Sequence, residues 1–132
     1  MDRPRVWLAI AIALCVFGVY RALFIPGMLI GPPAPLLVLG VVLQAAFGIL
    51  AGVGAWRGAS WTPVAILLLG VSIAAAALID VVLGIRAYFY AFVEAAVAMG
   101  AAVLLAGAWR RRRVPRSART ASPSERDVAP FP

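Results

Sequence analysis

Leu36 to Trp56 reads LLVLGVVLQAAFGILAGVGAW, a stretch without one charged side chain. At 1.5 Å per residue a helix over it is about 30 Å long, the thickness of a bilayer's hydrocarbon core. Backbone polar groups in lipid must be satisfied within the segment, so a helix is expected rather than a lone strand. Three further apolar segments have similar length. Residues 6–25 are interrupted only by Arg21; residues 63–83 open with Pro63, a good first-turn residue, and carry Asp80; residues 87–109 carry Glu94.

The composition agrees with this reading. Of 132 residues, 64% are hydrophobic and 13% charged, with a mean hydropathy of +1.01. A soluble domain is typically about 45–50% apolar and about 25% charged. An ordinary soluble enzyme is excluded, and so is a free nucleic-acid-binding domain, despite a net charge of +7 and a pI near 11.3. The chain has no histidine, so imidazole metal sites and histidine acid–base relays are excluded within it. It also lacks lysine, which removes Schiff-base chemistry. Cys15 is alone, so no intrachain disulfide or paired-thiol redox centre forms. No cofactor is expected. All twelve cations are arginine, and with abundant Ala, Gly and Pro this suggests GC-rich codons and a bacterial source.

The connections are short. Residues 26–35 (PGMLIGPPAP) are expected to stop the first helix. Residues 57–62 (RGASWT) form a tight polar turn, and residues 84–86 leave so little chain that the last two helices must be an antiparallel hairpin. No A-x-A-like site follows the first segment, so it reads as a retained helix rather than a signal peptide. Leu14 is not the small residue a lipoprotein signal needs before its cysteine, and Cys15 reads as a small buried residue. After Trp109 come Arg110–Arg113 and a Pro-, Ser- and Arg-rich stretch, 114–132, expected to be a disordered tail. The fold class expected is therefore all-α: an integral membrane bundle of four transmembrane helices in residues 1–113, with a basic tail.

Charge sets the orientation. With the N-terminus inside, Arg3, Arg5, Arg57, Arg110–Arg113, Arg116, Arg119 and Arg126 all lie on the cytoplasmic side, and only Arg21 and Arg86 on the other. Ten against two is a strong positive-inside bias, placing both termini in the cytoplasm of a cell-membrane protein. Trp7, Trp56, Trp61 and Trp109 then fall at the inner interface, and Tyr20, Tyr88 and Tyr90 near the outer one, as an aromatic belt requires.

The candidate site is a set of polar residues in the outer half: Arg21, Gln44, Asp80, Arg86, Tyr90 and Glu94. Charges within a membrane usually pair or face a wet cavity. Arg86, Tyr90 and Glu94 recur every four residues and share a helix face. One reading is a neutral ion-pair cluster that fixes helix association; the other is a ligand or proton/cation site centred on Glu94 and Asp80. No nucleophile or metal set accompanies the carboxylates, so catalysis is not expected.

Packing accounts for other residues. Gly40, Gln44, Gly48 and Gly52 recur every four positions, and Gly70/Ala74 and Ala96/Gly100 form small-x-x-x-small pairs, which allow close helix approach. Ser72 is expected to bond its own helix backbone. Arg110, Arg111, Arg112 and Arg113 flank the last helix and suit anionic lipid headgroups; Ser117, Thr120, Ser122 and Ser124 beside them could be phosphorylated to weaken that attraction. The expected partners are the lipid bilayer, a second copy or another membrane protein, and no nucleic acid. The small multidrug transporters share the four-helix layout but are marked by a glutamate in the first helix, where this chain has Arg21, so no family residues are carried over. The leading expectation is a non-enzymatic interaction or accessory protein; the alternative is a small oligomeric transporter or ligand-binding bundle.

Overall fold

A computed structural model describes residues 3–30, 35–85 and 87–113. They form four helices: α1 Arg3–Ile30, α2 Pro35–Arg57, α3 Thr62–Val82 and α4 Tyr88–Arg113. Each is long and apolar enough to cross a membrane. The tail 114–132, Arg86 and the linker residues 31–34 lie outside the described residues.

Two helices outrun the segments expected from the sequence. Pro26 does not stop α1, which continues through it to Ile30. A proline inside a helix forfeits the bond to the carbonyl four residues back, here that of Ala22, and crowds it. The residues after it, GMLI, are mostly apolar, and leaving the helix would expose more unpaired backbone than the single lost bond. Likewise α4 continues past Trp109 through the arginine run. The other boundaries follow the local chemistry. Pro63 sits in the first turn of α3, and the Thr62 hydroxyl donates to the Ala59 carbonyl at 2.8 Å. The turns on either side of α3 rest on Gly58 and Gly84, with φ of +69° and +70°, a region that a residue with a Cβ enters only at a cost.

Successive helices pack antiparallel: α1 on α2, α2 on α3 and α3 on α4. Small residues make this possible. A Cβ on Gly48 would lie 2.9 Å from the Cα of Gly18, and one on Gly52 would strike Cys15 and the Ala11 carbonyl. The Gly40–Gly52 row does not serve one neighbour. Gly40 and Gln44 face α3, at Ala76 and Ser72, whereas Gly48 and Gly52 face α1. A step of four residues advances about 40° around a helix of 3.6 residues per turn, so the row winds from one partner to the other. On α3, Gly70 meets Ala102 and the Ala98 carbonyl of α4. The Ala96/Gly100 pair is not this contact: Ala96 is exposed and Gly100 faces open space.

The interior is built of small side chains. Ala51, Ala65, Ile66 and Ala102 form one buried cluster, and Ala11, Ala55 and Trp109 a second. The periphery is apolar: Leu23, Ile30, Val82, Phe92 and Leu104 are each more than two-thirds exposed. Soluble monomers rarely show contiguous apolar surface on this scale.

Candidate functional site

The fourth helix pair is left open. No Cα of α1 comes within 8 Å of one in α4, and a cavity of about 370 Å³ lies between these helices, floored by α3. Its lining side chains are apolar: Ile10, Leu14 and Phe17 from α1, Ile66, Leu69 and Ile73 from α3, with alanines and Leu105 of α4 opposite. The volume falls within the range of small-molecule pockets, about 300–1,000 Å³. About one turn beyond the last lining residues toward the chain termini, Ile10 and Leu105, the two helices meet at a staple. The rings of Trp7 and Trp109 meet edge to face at 4.9 Å, and the Arg112 guanidinium lies 5.9 Å and 5.3 Å from their centroids.

This staple revises the expectation for the tryptophans and the arginine run. Trp56 and Trp61 are exposed, as a belt requires, but Trp109 is 1% exposed and belongs to the core. Arg110, Arg111 and Arg112 are all exposed, and Arg112 also lies over the tryptophan pair. Trp61 also lies over Gly54, where a Cβ would come within 2.8 Å of its ring.

The polar residues read from the sequence occupy different settings. Gln44 is 2% exposed and locked into the α2–α3 seam. Its Nε2 donates to the Ser72 carbonyl at 3.5 Å, and its Oε1 is buried with no partner. Ser72 donates to the Leu69 carbonyl of its own helix at 2.8 Å, as expected. Arg21 is partly buried; its guanidinium carbon lies 5.5 Å from the Phe17 ring centroid, and its Nε is buried without a hydrogen-bond partner. Asp80 and Glu94 are partly buried, and each is engaged by a neighbour. Tyr90 is 69% exposed, and Phe89 packs on it. Arg86 lies outside the described residues.

Helix phase relates these charges to the cavity. Arg21 follows the cavity-lining Phe17 by four residues, Asp80 follows Ile73 by seven and Glu94 precedes Ala98 by four. Each spacing returns to the same helix face one or two turns on. The three charged side chains thus continue the three cavity-lining faces, away from the tryptophan staple. Among the described residues no group of three His, Cys, Asp or Glu could hold a metal ion. Sequence reasoning missed Gly18 and the cavity itself. Ala11, Cys15 and Gly18, small residues at helical spacing, were the available signal for the first; no signal within one segment reports an open pair.

Compared with family models, curated proteins and solved structures, the chain matches none. The functional reading therefore rests on geometry and charge.

Proposed function

We propose that the chain is a non-enzymatic, multi-pass protein of a bacterial cell membrane, an interaction or accessory protein that receives an apolar ligand in the α1/α4 cleft. The observation that carries this reading is the open pair: three successive helix pairs are closed by glycine and alanine contacts, and the fourth frames an apolar cleft open at the side. Membrane residence is supported by four helices of spanning length with apolar outer faces. The ten-to-two distribution of arginines supports cytoplasmic termini, with residues 114–132 as a cytoplasmic tail. Arg21, Asp80 and Glu94 are then the polar end of the cleft, fixing how the helices associate.

The test is binding of a solvatochromic apolar probe, Nile red, to the chain in nanodiscs. A saturable component above that of empty discs is expected. Ala101→Trp, entering the cavity from an exposed position of α4, should abolish it. Equal, non-saturable partitioning in both proteins would sink the reading. The second reading, a proton- or cation-coupled site at Asp80 and Glu94, is favoured by the position of both carboxylates on cleft-lining faces.

A further inference from the structure

The cavity has a defined depth and a defined charge at one end. The cavity-lining residues of α1 run from Ile10 to Phe17, a rise of about 10 Å, against about 15 Å for half of a hydrocarbon core. The cleft beyond the tryptophan staple therefore matches about two-thirds of one leaflet's depth, the inner part of an acyl chain's length. The chemistry at the staple end is one-sided. Among the described residues this end carries Arg5, Arg57, Arg110, Arg111 and Arg112, whereas both described carboxylates, Asp80 and Glu94, lie toward the opposite end. Arg112 is held in place by two aromatic rings at the foot of the cleft. A guanidinium beside aromatic rings keeps N–H donors that match a phosphate's oxygens in pairs.

We infer that the α1/α4 cleft holds one acyl chain of an anionic phospholipid of the adjoining leaflet, with its phosphate on Arg112. The inference rests on the membrane-binding reading above and specifies its ligand. The apolar walls accept a hydrocarbon chain without leaving a polar group unsatisfied. The lateral gap between α1 and α4 admits the chain from the bilayer rather than from water. The arginines select the head by charge, and Trp7 and Trp109 sit at the level where head and chain meet. Glycines and alanines close the other three helix pairs, so this is the pair at which a lipid chain can replace a helix contact.

The experiment is native mass spectrometry of the full chain, released from detergent after exposure to equal phosphatidylglycerol and phosphatidylcholine. One phosphatidylglycerol per chain is expected, in clear preference to phosphatidylcholine. Arg112→Ala should lower phosphatidylglycerol retention about fivefold, the effect of one arginine beside an anionic surface, and leave phosphatidylcholine unchanged. Ala101→Trp should lose the bound lipid altogether. Ile10→Trp fills the same space from α1, so one variant serves if the other fails to fold, with far-UV helicity as the check. Retention of phosphatidylglycerol by both filled variants would place the lipid on the arginines alone and overturn the inference. So would equal retention of the two lipids by the parent chain, or a lipid-free dimer closed across the cleft. Saturable Nile red binding with no retained phospholipid would overturn the inference while leaving the binding reading intact; loss of both would remove both.

Discussion

Gln44 and Arg21 are each polar groups set among apolar helices, and their surroundings assign them different weights. Gln44 makes one long bond, 3.5 Å to the Ser72 carbonyl, and keeps a buried oxygen without a partner. Interhelical hydrogen bonds in membranes average only about 0.6 kcal/mol, and an unsatisfied buried acceptor offsets that gain. Gln44→Leu is therefore expected to change stability by less than about 1 kcal/mol, read from thermal denaturation in detergent. A loss above about 2 kcal/mol would mean that Gln44 has a partner of another kind. Glu94 separates the two functional readings. If it serves a proton-coupled site, Glu94→Gln abolishes pH-dependent flux in proteoliposomes while the chain still inserts and melts normally. If it is structural, exchanging Arg21 and Glu94 together restores stability that either reversal alone removes. The charges were legible in the sequence because charged residues are rare in apolar segments. Their relation to a cavity was not, because it depends on which faces three separate helices turn inward.

At the level of elements, hydropathy made the number and approximate length of the helices readable, since about 20 apolar residues in a row have few other uses. The ends were less legible. Proline's local preference suggested that α1 stops at Pro26, yet the helix runs four residues further. Pro26→Ala would restore the backbone bond to Ala22 and is expected to raise the melting temperature in detergent, with a gain of about 1 kcal/mol or more. An unchanged or lower melt would mean that the proline's kink is used in packing. The α1–α2 crossing carries the opposite expectation. At Gly48 even one added carbon meets the backbone of Gly18 at 2.9 Å, and backbone cannot swing aside as a side chain can. Gly48→Ala should cost about 1–3 kcal/mol, the scale of overpacking. Gly100→Ala, facing open space, should cost nothing and is the matched control. The small-residue spacing on α2 was visible in the sequence. The division of that row between two neighbours follows from the 40° drift and the actual crossing points, which no single segment contains.

Across the whole molecule, the open α1/α4 pair is bridged at its foot by two tryptophans. The Cα atoms of α1 and α4 stay more than 8 Å apart, so side chains make this contact: the tryptophan pair, Ala11 against Trp109, and Leu14 on the cluster that holds Ile66 and Ala102. Trp109 is the better buried member, 1% exposed and packed with Ala11, Ala55 and Trp7. Truncating a buried tryptophan costs about 3–5 kcal/mol, so Trp109→Ala should cost this much and Trp7→Ala less, since Trp7 is only partly buried. The two losses should not add. An edge-to-face pair contributes about 0.5–1.5 kcal/mol beyond its buried area, and that coupling is the quantity a double-mutant cycle over Trp7 and Trp109 isolates. Coupling near zero would mean that the rings merely adjoin. A tryptophan near the end of an apolar helix has the same sequence signature whether it faces lipid or a neighbouring helix, which is why Trp109 read as a belt residue. Its partner lies at the other end of the chain, and only closure of the bundle brings the two together. Arg112 extends the argument to binding. If the staple is what places its guanidinium at the foot of the cleft, Trp7→Ala should weaken phosphatidylglycerol retention as Arg112→Ala does, while phosphatidylcholine retention stays level.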